Sequence, residues 1–291
     1  NYGLAKIGST RANVFNYFAD SALIQGRYGA PALGVDGAGL ATTATQVAMV
    51  LALWAVLKAP RFAEIDLRMQ RPNLRRMLGI VRLGLPIGGQ LVTEFGVFAA
   101  AATIAGQVSA LSLAAHQIAL GLASFNYMVP LGLSIAASIR VGQAIGARDI
   151  AAAERAGRVA LLLGGGAMAA LGVVFLILPR QLASLFSPDL AVVALAVDLL
   201  RIAAAFQIFD GVQCVASGCL RGAGDTRAAF AANVLAHWFL GLPLGWLLAI
   251  ELDLGVRGVW WGLVFSLGMA AVLLAWRFLR GSWRGIGRAV A

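Results

Sequence analysis

From Leu83 to Ser109 the chain is predominantly apolar over the length of a membrane, and it carries one carboxylate, Glu94, near the middle. A helix rises ~1.5 Å per residue and the hydrocarbon slab is ~30 Å thick, so a spanning helix takes about 20 apolar residues. Glu94 lies 12 residues beyond Arg82, roughly 18 Å along the axis, near mid-membrane. A carboxylate there costs on the order of 3 kcal/mol unless it meets a proton, a cation or water. Whatever this chain folds into has to supply one of the three.

Other segments of the same kind surround it. Apolar helix patterns run at about 12–26, 37–57, 83–107, 111–138, 158–178, 197–220, 228–250 and 258–278, with Asp20 interrupting the first. Hydrophobic residues make up 60% of the chain and charged residues 12%, about half the share of a soluble domain. No signal peptide accounts for this. The expected class is all-α: a polytopic membrane helix bundle with about eight transmembrane helices. Its 35 glycines suit close helix contacts in lipid, where small residues let backbones approach.

The net charge of +10 would suggest nucleic acid in a soluble protein. Here membrane orientation explains it, because cytoplasmic loops collect Lys and Arg. With the first residue on the cytoplasmic side, alternating spans leave only Arg27, Arg180, Arg201 and Arg257 outside, out of 23 basic residues. Both ends of this chain are then cytoplasmic, and its surroundings are membrane lipid with no nucleic acid. Pro60–Arg76 is the most basic polar stretch and reads as a cytoplasmic linker. The expected domains are residues 1–59, two helices; 60–78, a basic linker; and 79–291, a six-helix lobe.

Three short matches support that division. Gly8-Ser9-Thr10-Arg11 resembles Gly224-Asp225-Thr226-Arg227, Ala12-Asn13-Val14 resembles Ala232-Asn233-Val234, and Leu33-Gly34-Val35-Asp36-Gly37 resembles Leu254-Gly255-Val256-Arg257-Gly258. The matches are in order at nearly constant offset, so the first two helices look like a copy of the last two. A parallel repeat of six helices follows, with the first two helices as the tail of an earlier unit. The repeat period places about 140 further residues upstream.

Asp210 is the counterpart of Glu94. It lies roughly 14 Å along its helix from Arg201 and 17 Å from Arg221, again near mid-depth. Acids at such depth mark ion or proton pathways. Gln90 and Phe98 stand four residues either side of Glu94, and Phe206, Gln207 and Gln213 stand four before, three before and three after Asp210. Those spacings share a helix face. Rings, amides and an acid together suit an amphipathic cation, although the rings also serve as packing. Tyr127 lies further in on the helix that begins near His116, and Pro130 should kink that helix. Asp20 is a third acid, able to join a proton or cation relay or to face water. His116 reads as a hydrogen-bonded packing residue rather than a proton carrier, and the triple glycine 164–166 as a close helix contact. Cys214 and Cys219 point in different directions and do not pair, and no zinc set or catalytic constellation appears.

These residues also carry a family likeness. Leu83-Gly-Leu-Pro-Ile-Gly88 leading to Glu94, Ala115-His-Gln-Ile-Ala-Leu120, Val129-Pro-Leu-Gly132, Arg140-Val-Gly-Gln-Ala-Ile-Gly146, Phe206 to Asp210-Gly211 with Gln213, Leu220-Arg-Gly with Gly224-Asp-Thr-Arg227, and Pro31 to Gly39 resemble the multidrug and toxic compound extrusion (MATE) family, NorM-like. The resemblance implies twelve helices in two six-helix lobes, the first four absent from this chain. It implies a bacterial-type inner membrane, a monomer, no enzyme activity, no cofactor, and antiport of cationic amphipathic small molecules against Na⁺ or H⁺. It implies that Glu94 and Asp210 couple the cation, with Na⁺ possible at both; the residues read above as lining a substrate cavity are Gln90, Phe98, Tyr127, Phe206, Gln207 and Gln213. A lipid or glycan-lipid flippase, expected to present cationic residues to a phosphate, and a non-transporting scaffold are the alternatives.

Overall fold

The computed structural model describes residues 2–29, 31–57 and 73–285. It divides into two compact units, Asn1–Pro72 and Asn73–Ala291. Most of the basic linker expected over 60–78 lies outside the described residues; helix resumes at Leu74.

The first unit is a helical hairpin of α1 (Tyr2–Gln25) and α2 (Gly34–Leu57). Asn16 donates to the Thr45 hydroxyl at 3.3 Å, and the Leu33 N–H to the Leu23 carbonyl at 2.8 Å. The turn into α2 uses two glycines. Gly34 has φ +57°, and a Cβ on Gly37 would stand 2.6 Å from the Leu23 carbonyl carbon. In the second unit Gly255 also has φ +57°, and a Cβ on Gly258 would stand 2.5 Å from the backbone of Leu248 and Ala249. The third sequence match is thus one backbone device used twice. A side chain at Gly255 (φ 57°, ψ −143°) enters a region essentially reserved for glycine. Gly255→Ala should therefore cost about 1–3 kcal/mol, read as a lower thermal unfolding midpoint of the detergent-solubilised protein.

The second unit contains α3 (Leu74–Val108), α4 (Ala110–Gly146), α5 (Ile150–Ile177), the short α6 (Pro179–Ser184), α7 (Leu190–Gly222), a helical rod over Thr226–Glu251, and α10 (Val256–Leu279). Among the described residues six helices are long and apolar enough to cross a membrane, all in this unit. Each helix of the first unit, at 24 residues, also has the length to span. Several helices outrun their apolar patterns. α3 starts nine residues before Leu83, and α4 continues through Pro130 to Gly146. Caps, rather than the end of hydrophobicity, set the starts of α4 and α5: Ser109 accepts from the Ser112 N–H, and Asp149 from the Ala152 N–H.

α7 is the central helix and packs on α4, α5 and α10. Small residues allow this. Gly218 and Gly222 face Ser134 and Ser138 of α4 so closely that a Cβ on either would collide with backbone, and Ser134 donates to the Cys214 carbonyl at 2.8 Å. On the other side a Cβ on Gly172 would stand 2.7 Å from the Ala204 carbonyl, and one on Gly164 2.6 Å from the Val215 side chain. Gly164 is the member of the glycine triplet that makes the close contact; Gly166 faces open space.

The rod is built from α8 (Thr226–Val234), a π turn over Leu235–Gly241, α9 (Leu242–Trp246) and a second π turn over Leu247–Glu251. The Leu242 N–H bonds the His237 carbonyl five residues back, and the next residue, Pro243, has no N–H to give. A buried polar chain crosses here. Gln213 of α7 donates to Asn233 Oδ1 at 2.8 Å, His237 Nε2 meets the same oxygen at 3.1 Å, and His237 Nδ1 meets the Ser266 hydroxyl of α10. Asn233 Nδ2 donates to the Ala229 carbonyl, so Oδ1 is the acceptor and His237 Nε2 carries the hydrogen.

Candidate cation and substrate cavity

Three helices of the second unit line a half-open cavity of about 290 Å³, with Leu91, Phe95 and Met128 exposed at its rim. Each helix contributes one face. α3 presents Leu91, Glu94, Phe95 and Phe98, at spacings of three and four. α4 presents Leu120, Ser124, Tyr127 and Leu131 at the same spacings, with Ala123 and Met128 beside them. α7 presents Phe206 and Asp210, one turn apart.

Glu94 and Asp210 are 7% and 4% exposed, and both border this cavity. Two mid-span acids on different helices are therefore brought to one hollow. The Tyr127 hydroxyl lies 3.5 Å from Glu94 Oε1 and 3.6 Å from the Cys214 thiol, which ties the α4 face to both carboxylate-bearing helices. The remaining wall is aromatic and aliphatic, with Phe98 and Phe206 edge to face at 6.1 Å. Such a chamber offers negative charge at one place and ring faces around it. That chemistry suits a lipophilic cation, or a small cation held by carboxylate oxygens. Among the described residues no group of three or more His, Cys, Asp or Glu could hold a metal ion; the polar side chains that line this cavity are Glu94, Asp210, Tyr127 and Ser124.

Of the cavity residues expected from sequence, Phe98, Tyr127 and Phe206 line it, and the three glutamines do not. Gln90 donates to the Ser217 hydroxyl at 2.9 Å, Gln213 belongs to the chain through Asn233, and Gln207 is fully buried with both amide atoms unpartnered. A residue three or four along a helix is offset by tens of degrees, enough to turn a long amide to the next helix. Asp20 lies half-buried in α1, in the other unit. Phe95, Ser124, Met128 and Leu131 were not anticipated. Stepping by three and four from Tyr127 reaches Ser124 and Leu131, so that part was recoverable.

His116 is fully buried and packs 5.8 Å from Trp260 between ring centres, but neither ring nitrogen meets the hydrogen-bond partner expected of it. Cys214 and Cys219 are both free and buried.

The MatE family model matches residues 86–247. The chain belongs to the MatE family. The matched span carries every residue that borders the cavity, Glu94, Tyr127 and Asp210 among them. Among curated MatE relatives, the probable multidrug resistance protein NorM of Pseudomonas putida is 41% identical over 93% of this chain and 60% of its own length. The multidrug resistance protein NorM of Burkholderia vietnamiensis is 43% identical over 94% of this chain and 59% of its own. The chain thus spans about 60% of the length of the curated relatives it matches. Among solved structures, the eukaryotic MATE transporter AtDTX14 superposes with a TM-score of 0.87 at 23% identity, over 97% of this chain and 63% of that one. An outward-facing multidrug resistance MATE family transporter superposes at 0.82 and 21% identity, over 96% and 62%. These likenesses show a shared MATE fold. With the six spans, they make this MatE chain an integral membrane protein.

Proposed function

We propose that this chain forms the cation-handling lobe of a multidrug antiporter, one that exports cationic amphipathic compounds against inward Na⁺ or H⁺. The observation that carries the reading is the meeting of Glu94 and Asp210 in one aromatic-walled cavity. Two carboxylates away from water need positive partners, and a small cation and a drug cation can take turns. Outward-open, the acids take Na⁺ or a proton and the drug leaves; inward-open, the small ion departs and the drug binds. Each ligand shifts the equilibrium only by its differential affinity for the two states. The NorM names of the relatives point to the same activity. The charged side chains lining the cavity are acidic among the described residues, which favours cationic cargo over the phosphate head group a flippase would hold.

In this reading the chain is a transporter rather than an enzyme, a monomer in a bacterial-type inner membrane with both of its ends cytoplasmic. Residues 1–59 end one lobe, 60–78 link it, and 79–291 form the other; Asp20 is a further relay acid in the first. Ethidium accumulation in proteoliposomes under an imposed Na⁺ or H⁺ gradient tests the proposal. Accumulation driven by either gradient supports it, and none under both removes it. Phe98→Ala and Phe206→Ala should each weaken ethidium binding by about 0.5–2 kcal/mol through lost cation–π and packing contact, measured by fluorescence titration.

A further inference from the structure

A second set of polar side chains lies behind the aromatic wall. Phe206, which borders the cavity, packs on Trp260 of α10 with ring centres 5.6 Å apart, and Trp260 packs on His116 of α4 at 5.8 Å. The rings lead from the cavity toward the first turns of α4 and α10. His116 and Trp260 have no exposed surface, yet neither imidazole nitrogen nor the indole N–H meets a partner within the protein. Gln207, next to Phe206 and three residues before Asp210, is equally buried, and neither its amide nitrogen nor its oxygen has a partner.

Left dry, each such group costs about 1–3 kcal/mol. Protein interiors meet this need with ordered water, which makes 2–4 hydrogen bonds to polar neighbours. A neutral imidazole offers one donor and one acceptor, and an indole offers one donor, so a single water can serve both rings. The lobe contains its own counterexample. His237 and Trp283 are just as buried, but His237 is bonded to Asn233 and Ser266, and Trp283 donates to the Phe278 carbonyl at 2.9 Å.

We propose that His116 and Trp260 form an internal water site behind Phe206. It places a hydrated position behind Phe206, away from the drug cavity. A proton or small cation between the carboxylates then has a wet neighbour that a lipophilic drug does not occupy. That consequence rests on the antiport reading; the water site itself does not.

The test is X-ray hydroxyl-radical footprinting of the protein in nanodiscs, read by mass spectrometry. The radicals form from water in place, so a buried side chain is labelled only where water adjoins it. His116 and Trp260 should label severalfold faster than His237 and Trp283. His116→Phe keeps a ring and removes both nitrogens, and it should slow Trp260 labelling toward the Trp283 rate. If His116 and Trp260 label as slowly as His237 and Trp283 in the unsubstituted protein, the site does not exist. A Trp260 rate unchanged by His116→Phe also overturns it. Expected labelling together with absent ion-driven ethidium accumulation would retain the water site and remove the antiport reading.

Discussion

Neutralising both cavity acids, Glu94→Gln with Asp210→Asn, is expected to abolish ion-driven ethidium accumulation while making the protein harder to unfold. The two effects have one cause. Both carboxylates are buried and face the same hollow, with a distant tyrosine hydroxyl as the only hydrogen-bond partner of Glu94 among the described residues. Without a bound cation they are a cost to the fold, of the kind found where activity and stability compete. Replacing them with amides removes the charge and should raise stability by about 0.5–2 kcal/mol, seen as a higher unfolding midpoint. The drug cation loses its charge partner at the same time. A buried charge left unpaired costs about 3–5 kcal/mol, so ethidium affinity should fall by a factor of 100 or more. Measuring both quantities on the same preparation separates lost function from lost folding. Undiminished gradient-driven accumulation in the double variant would remove the acids from the mechanism.

Gly218→Val should have the opposite character: failure of the fold rather than of the chemistry. Gly218 meets the backbone of Ser134, and Gly222 that of Ser138, along the line where α4 and α7 touch. Helices in lipid gain nothing from hiding oil from water, so their association rests on close packing and on hydrogen bonds such as that from Ser134 to the Cys214 carbonyl. A valine at 218 forces backbone apart, and no side chain rotamer can relieve it. The expected cost is about 3 kcal/mol or more, at the upper end of overpacking effects. Separating α4 from α7 would also part Tyr127 from Asp210. Gly166→Ala is the control: its added methyl faces open space, and better helix propensity should stabilise by up to about 1 kcal/mol. Unfolding midpoints and monodispersity in detergent would show the contrast. Equal behaviour of the two variants would contradict the packing of α7 described above.

Much of this protein was legible along the chain. The long apolar helices, the close helix contact of the 164–166 glycines and the likeness of the stretches beginning at Leu33 and Leu254 all follow from local pattern. The three glutamines show where such reading stops. Gln90, Gln207 and Gln213 keep helical spacing with the acids, yet Gln90 turns to Ser217, Gln213 to Asn233, and Gln207 is buried with no partner and outside the cavity lining.

Sequence by itself determined the spans, because in hydrocarbon every backbone N–H and C=O has to be satisfied within its own helix, which makes apolar length decisive. It also placed Glu94 and Asp210 near the middles of their helices, since helical rise converts residue number into distance. Only the tertiary structure decided how each helix is rotated about its axis. In a helix that is apolar on nearly every side, nothing in the pattern marks the inward face. Contacts such as Gly218 on Ser134 and Gly164 on Val215 choose it, and with it whether two acids meet in one cavity.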